Sequence, residues 1–401
     1  MEDLFAGLKV IDCASFIAAP AAATILSDFG ADVIKIEPPG EGDLYRQLRV
    51  APGYPVSEAH NYPWIIDNRN KRSITLDLKC PQAVDVLHRL AAQADVFITN
   101  MPLPVRERLK TRWEDLREAN PRLVYASFTA YGESGAEAGK TGFDSTAYWA
   151  RSALMDNVKP SSEAVPARSV AGMGDHPSAL ALYGAIVTAL LRRERTGKGG
   201  KVSSNLIANG LWANSVLVQA QLCGATMIPR PPRDRLPNAC TNMYRTRDDR
   251  WLMLSVLNEA RQFAPLVTAL GHPEWADDPR FAVLEERRRH SRTLIALFDE
   301  VFSSRDLAGW RAVLDGAGIT FGVVGTLDDI PHDPQMRAAG ALVPYGDGDM
   351  LTVSSPIFLD GVEKVAARPA PELGADTDAI LREAGYDAAA IAGLRAAGAL
   401  G

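Results

Sequence analysis

A doubly wound α/β domain is predicted for the first part of the chain, on three observations. Short apolar runs alternate regularly with amphipathic stretches across the first third. The runs are five to seven residues long and the stretches between them are about ten residues or more, so consecutive strands need crossover connections and a parallel sheet covered on both faces. Gly and Pro punctuate the junctions where a strand or helix must stop.

Taken in order, Lys9–Ala14 (KVIDCA) reads as a buried strand and Ala19–Phe29 as a helix ended by Gly30. Ala31–Glu37 is a second strand, closed by Pro38-Pro39-Gly40. Pro81 suits the first turn of a helix running to Gln93, Asp95–Thr99 is a third strand and Leu123–Phe128 a fourth. Ser178–Arg195 reads as a core helix too short to span a bilayer, with basic charges and glycines (RRERTGKGG) at its C-terminal end. A further long helix is expected over 203–222, and the proline-rich stretch 227–237 as a boundary. A short strand (Trp251–Val256) and charged helices to about Ala317 follow, and apolar runs return beyond Gly318. The expected organisation is a large domain over 1–200, a linker helix over 201–228, a small α+β domain over 229–320, and a return segment over 321–401 that completes the large domain.

With 401 residues, 47% of them hydrophobic and 23% charged, the composition is that of an ordinary globular enzyme. Lys and Arg total 43 against 49 Asp and Glu, a net charge of −6, which argues against nucleic acid as a partner. No run approaches 18 apolar residues, so no membrane span is expected. The opening MEDLFAGLKV lacks a basic n-region and an apolar h-region. The four cysteines, at 13, 80, 223 and 240, form no CxxC pair, and a cytoplasmic protein with reduced thiols is expected.

The familiar motifs fail on spacing. A dinucleotide site needs G-x-G-x-x-G after the first strand, and Ser15–Ala23 (SFIAAPAAA) holds no glycine. Gly135–Thr141 (GAEAGKT) has three residues between its glycines where a phosphate-wrapping loop has four, and Gly197–Lys201 (GKGGK) reads as a helix stop. The six histidines make no HExxH or Cys/His cluster, so no metal site is expected, and no G-x-S-x-G elbow is present. Two features remain open. Residues 68–72 (NRNKR) place Arg69, Lys71 and Arg72 before the alternating SITLDL, either as a solvated loop or as a phosphate site. Asp144, in GKTGFDSTAYWARSALM, is either a helix N-cap or a carboxylate nucleophile able to form an acyl intermediate.

The opening GLKVIDCASFIAAPAAATILSDFGADVIKIEPPGEGDLYR resembles the start of the family III CoA-transferases (the CaiB/BaiF family), typified by formyl-CoA transferase and carnitine CoA-transferase. The resemblance continues through NRNKRSITLDLKCPQAVDVLHRLAAQADVFITN, NPRLVYASFTAYGESG and GDHPSALALYGAIVTALLRRERTGKGGKV, and recurs weakly in the tail. It implies a large Rossmann-like domain, a smaller α+β domain and a homodimer of two interlocked rings. It also implies transfer of CoA from an acyl-CoA to a small carboxylic acid through an aspartyl anhydride and an aspartyl-CoA thioester, with no permanently bound cofactor. Carried over by motif, the nucleophile is Asp144, in Gly142-Phe143-Asp144. Ser15, Phe16, Ile17 and Ala18 should line the thiol and pantetheine arm, and Lys71, Asn100, Met101 and Arg108 should hold the nucleotide, with Arg69 and Arg72 beside them. Asp175 matches the family's G-D element and is read as an N-cap for the next helix.

The chain departs from the family pattern at Ala19, where a glycine is usual, and at Pro38-Pro39, where a basic residue is common. It also lacks the run of glycines over 225–240 that goes with formyl and oxalate chemistry. An α-methylacyl-CoA racemase of the same fold family would need an acid–base histidine where Phe143 stands. A non-catalytic CoA-binding protein and an NAD-dependent oxidoreductase are the remaining alternatives; Asp144 argues against the first and the missing glycines against the second. Arg46, Arg49, Arg151 and Arg233 are candidates for the distal carboxylate of a dicarboxylic acid.

Overall fold

The computed structural model describes residues 3–50 and 54–401. The chain divides into two compact units, the first built from 1–155, 168–223 and 334–401, the second from 156–167 and 224–333.

The first unit is organised by a six-stranded sheet whose neighbouring strands all run parallel. Its strands are β1 (Lys9–Cys13), β2 (Asp32–Glu37), β3 (Arg72–Thr75), β4 (Val96–Thr99), β5 (Val124–Thr129) and β6 (Gly200–Asn205), in the spatial order β3-β2-β1-β4-β5-β6. The order reverses between β1 and β4, which opens a crevice at their C-terminal ends, where open α/β sheets bind ligands. Cys13 lies opposite Thr99, so β1 and β4 finish level, and Thr99 lies opposite Ser127, two residues before the end of β5.

Helix α1 (Ala18–Asp28) is buried at all its positions. Its run of alanines lets the backbone lie close to β1 and to the long helix Asp175–Thr196, while Pro20 falls in the first turn, where a missing N–H is harmless. Leu26, Leu182 and Ile186 are fully buried in the shared core, each contributing about 1.5–3 kcal/mol relative to exposure. The opposite face of the sheet is covered by α3 (Pro81–Ala92) through Val86, Leu87 and Leu90, while α2 (Tyr62–Asn68) packs against α1, with the Thr24 hydroxyl donating to the Asp67 carbonyl. The helices expected at 19–29, 81–93 and 178–195 are thus present with small shifts at their ends.

The long helix expected over 203–222 is not. Residues 200–205 form β6, an edge strand with alternating exposure, and two helices of eight residues follow, Leu206–Ala213 and Ser215–Leu222. The polar sequence GKVSSN suits an edge, where one side of the strand meets water, and a purely apolar strand criterion passes it over.

The second unit is an α+β body. Strands β7 (Met243–Arg245), β8 (Trp251–Leu254) and β9 (Phe321–Val324) form an antiparallel sheet. Helices Glu259–Ala269, Ser291–Ser303 and Leu307–Gly316 pack around Tyr244, Phe298, Phe302 and Trp310. Because β9 pairs with β8, this unit runs to residue 333 rather than 320, and the return segment begins at Pro334. The short segment 156–167 also joins it, with Ser162 donating to the Arg230 carbonyl at 2.8 Å and Arg230 reaching the Asn157 carbonyl at 3.2 Å. The return segment carries the hairpin β10–β11 (Leu342–Pro344 and Leu351–Val353) and two helices that close the β3 side of the sheet. No helix among the described residues is long and apolar enough to cross a membrane.

Candidate active site

The crevice between β1 and β4 opens into a cleft of about 540 Å³ within the first unit. Its floor is the loop after β1. The Ser15 amide donates to Asn100 Oδ1 at 3.0 Å and Asn100 Nδ2 returns a bond to the Ser15 carbonyl at 2.7 Å, tying the loops after β1 and β4 together across the switch point. Phe16 has φ +63, in the left-handed region that a bulky residue enters only at an energetic cost. Its amide is held by Asp43 Oδ1 at 3.3 Å, and Asp43 is fixed in turn by the fully buried Lys35 ammonium at 2.9 Å, which also donates to the Ala14 carbonyl. Ser15, Phe16, Ile17 and Ala18 therefore form a rigid lip at the N-terminal end of α1, and all four line the cleft. Phe143 packs edge-on against Phe16, with ring centroids 6.0 Å apart, and is 55% exposed.

Two carboxylates, Asp144 and Asp175, share this cleft. Asp144 opens the π-helical segment Asp144–Ala150 and is 7% exposed. Its Oδ2 accepts from the Gly172 amide at 2.9 Å and the Gly174 amide at 3.4 Å. Asp144 therefore anchors the loop entering the next helix and makes no cap to its own; Thr146 Oγ1 takes the Phe143 amide instead, at 2.9 Å. Gly172 adopts φ +82, and a Cβ at Gly174 would strike the Tyr148 ring at 2.7 Å, so both positions suit only glycine.

The expectation that Asp175 is an N-cap is corrected. The cap position is Gly174, and Asp175 is the first residue of the helix Asp175–Thr196, where a side chain points away from the orphan amides. No hydrogen bond reaches its carboxylate among the described residues. Burial raises its pKa to about 7, Asp144 nearby adds to the rise, and His176 opposes it. A carboxylate with open lone pairs and raised basicity, at the N-terminus of a 22-residue helix, combines the two properties a nucleophile needs. The signal in the sequence was Pro177, which belongs in a first turn and so shifts Asp175 inside the helix rather than ahead of it. The thiol nearest this edge of the sheet, Cys13, is buried, and its pKa is pushed up to about 12, which keeps it un-ionised at neutral pH.

The three cations of 69–72 lie away from the cleft and are engaged internally, so a phosphate role does not fit them. Arg69 forks onto Asp28 at 2.8 and 2.7 Å with both side chains buried. Lys71 is wholly enclosed by Asp12 Oδ2 (2.8 Å), the Pro20 and Asp67 carbonyls (2.8 and 2.7 Å) and Asn68 Oδ1 (3.0 Å). Arg72 is paired with Asp32 and with Glu383. The other expected contacts divide between two cavities: Asn100 lines the cleft, while Met101 and Arg108 line a separate groove of about 910 Å³ beside β2, β3 and α3. Ile36, Pro38, Leu76 and Leu78 form an apolar wall there, with Lys79, Arg108 and Lys110 around it. None of those three cations has an ion-pair partner among the described residues. Lys79 and Lys110 were missed by motif reasoning, since single lysines in turns look like ordinary solvated surface.

Of the arginines considered for a distal carboxylate, Arg46 is held by Glu37 at 2.8 Å and stacks 3.6 Å over Trp64, and Arg233 forks onto Asp299 in the second unit. Arg151 faces Glu137 at 3.3 Å, and neither it nor Arg49 lines the cleft. The arginine that does line it is Arg168.

The site is thus a cleft at the switch point of a parallel sheet, lined by two carboxylates and entered by a first turn without glycine. The family model for CoA-transferase family III matches residues 5–377, and the chain belongs to that family. It is 30% identical over 390 residues to (R)-2-hydroxy-4-methylpentanoate CoA-transferase of Clostridioides difficile, covering 96% of both chains. It is 30% identical to cinnamoyl-CoA:phenyllactate CoA-transferase of Clostridium sporogenes, covering 96% of this chain and 94% of the relative. The crystal structure of a CaiB/BaiF family protein from Brucella suis superposes with a TM-score of 0.85 at 29% identity, covering 96% of this chain and all of the other (100%).

Proposed function

We propose that the protein transfers CoA from an acyl-CoA to a carboxylic acid through covalent intermediates on Asp175, with Asp144 as the anchor of the loop that presents it. The observation that carries this reading is the contrast between the two carboxylates that line the cleft: the Gly172 and Gly174 amides both bond Asp144 Oδ2, whereas no hydrogen bond among the described residues reaches the Asp175 carboxylate.

Asp175 in its ionised form attacks the thioester carbonyl carbon. The C–S bond breaks, leaving a mixed anhydride and a CoA thiolate. The thiolate attacks the aspartyl carbonyl of the anhydride, expels the donor acid as its carboxylate and leaves an aspartyl-CoA thioester. The acceptor carboxylate then attacks that thioester, and the same two steps in reverse give the new acyl-CoA and free Asp175. No net proton is consumed. The N-terminal ends of α1 and of the Asp175–Thr196 helix converge on the cleft and favour the negative charge that develops at each tetrahedral step.

In this reading the pantetheine arm runs over Ser15–Ala18 and Asn100, and the nucleotide lies in the neighbouring groove. Its base rests on the Pro38 and Leu78 wall and its phosphates are met by Lys79, Arg108 and Lys110. The homodimer of interlocked rings belongs to the same proposal, and an intact folded monomer at micromolar concentration contradicts it. The exposed Phe143 favours transfer over racemisation, because a phenyl ring moves no proton.

The test is to mix the protein with a panel of acyl-CoAs, quench with hydroxylamine and map the adduct by peptide mass spectrometry. A hydroxamate at Asp175, lost in Asp175→Ala and retained in Asp144→Asn at reduced rate, is the expected result. A hydroxamate at Asp144 instead restores the assignment that the family motif suggests. Deuterium uptake at the α-carbon of a 2-methylacyl-CoA with no adduct establishes racemisation.

A further inference from the structure

Beside Asp175 stands a histidine for which transfer chemistry has no direct use, and both of its ring nitrogens are engaged. His176 Nδ1 lies 3.1 Å from the Gly172 carbonyl and Nε2 lies 3.0 Å from Asp67 Oδ1. A carbonyl oxygen and a carboxylate can only accept, so both nitrogens carry protons and the ring is an imidazolium. Gly172 is thus gripped from two sides, its carbonyl by His176 and its amide by Asp144. Its φ of +82 leaves a Cβ only 3.2 Å from the imidazole, which is how the ring comes so close.

The far end of the clamp is equally fixed. Asp67 sits near the end of α2, and its carbonyl is held by the buried Lys71 ammonium at 2.7 Å and by the Thr24 hydroxyl. The Tyr45 phenol also faces Asp67. The charged groups facing His176 are Asp67 from α2, Asp175 from its own helix and Asp144 through Gly172; Arg69, in the same wall, is neutralised by Asp28. Although its two nitrogens are bonded, the ring is about half exposed, 47%, and opens on a second, largely apolar cleft of about 560 Å³ on the other side of the loop. Protons can therefore reach it without entering the reaction cleft.

We propose that His176, as an imidazolium bridging Asp67 and Gly172, is the positioning residue that holds the loop 172–174 and keeps Asp175 ionised for attack. This rests on Asp175 being the nucleophile. Deprotonation removes one of the two bonds and the positive charge beside Asp175 together. The paired Asp67 and Asp175 outweigh burial and lift the histidine from 6.5 to about 8, whereas Asp175 is raised to about 7. Active enzyme needs Asp175 deprotonated and His176 protonated, a window between those two values with activity falling on either side.

The experiment uses the full chain in two measurements. The ¹³Cε1 resonance of His176, assigned by its absence in His176→Gln, is followed from pH 5 to 9.5. In parallel, the rate at which the fastest donor of the acyl-CoA panel builds the enzyme-CoA thioester is measured over the same range by quenched mass spectrometry. The expected result is a His176 titration near pH 8 that moves down in Asp67→Asn, and a bell-shaped labelling rate in the wild type. In His176→Gln the alkaline limb disappears, the acid limb moves up by about one unit, and labelling at pH 6 falls about tenfold with the donor's half-saturating concentration unchanged. A His176 ring that titrates below 6.5, or a His176→Gln profile that retains the wild-type alkaline limb, overturns the proposal. Labelling that survives in Asp175→Ala overturns the nucleophile reading instead, whatever His176 does.

Discussion

Two sets of basic residues in this chain differ in both their spacing along the sequence and their surroundings in the fold. Arg69, Lys71 and Arg72 stand together within residues 68–72, yet each is closed by carboxylates or carbonyls. Lys79, Arg108 and Lys110 are scattered over thirty-odd residues, yet they surround one groove without ion-pair partners among the described residues. Clustering along the chain is therefore a poor guide to a phosphate site. What counts is whether the fold supplies each cation with an internal anion, because a neutralised guanidinium has no charge left for a ligand.

Substitutions on the two sides should separate stability from affinity, and the largest effect falls on the buried side. Arg69→Met strands the Asp28 carboxylate, which is itself only 4% exposed, and should lower unfolding free energy by about 3–5 kcal/mol. Urea midpoints read this directly; a loss under 1 kcal/mol makes the pair ornamental. Lys71→Met should cost somewhat less, about 3 kcal/mol, because Asp12 keeps Lys35 at 3.8 Å as a second cation. On the open side, Arg108→Ala should raise the KM for acyl-CoA about tenfold with kcat and melting temperature unchanged, the loss of one charge-assisted hydrogen bond. An unchanged KM moves the nucleotide out of the groove. Arg72→Met should cost about 1 kcal/mol of stability, since that pair network is partly solvated, and leave KM alone. The smallest effect belongs to Lys79→Ala, about a two- to threefold rise in KM that fades as salt is raised.

The parts of the fold that depend on local rules were legible in the sequence. Strands β1, β2, β4 and β5 are apolar runs between turn residues, and α1, α3 and the 175–196 helix carry helical patterns with recognisable ends. β6 was not legible, because an edge strand keeps polar residues on its open side. The second unit's extension to 333 was hidden because the pairing of β9 with β8 links residues some seventy apart. At the site, Ser15–Ala18 line the cleft, and Asn100, expected beside the nucleotide with Met101 and Arg108, lies in the cleft apart from them. The division of labour proposed for Asp144 and Asp175 could not be read from either motif. It depends on which carboxylate the Gly172 and Gly174 amides reach, and that is a property of a loop closing on a residue 28 positions earlier.

The stitching of β3 to distant sequence has a consequence for how the protein is made. Arg72 closes on Glu383, the Ser73 amide on Asp376 at 2.9 Å, and the Asp77 amide on the Ala399 carbonyl at 3.0 Å. A nascent chain emerging from the ribosome has β1, β2 and β3 in hand early. It must keep that flank of the sheet uncovered while some three hundred further residues are synthesised. The second unit, continuous apart from one short segment, is free to fold in the meantime. The half of the molecule that begins first is therefore the half that finishes last, and the exposed flank of β3 is where a chaperone would have the longest time to act.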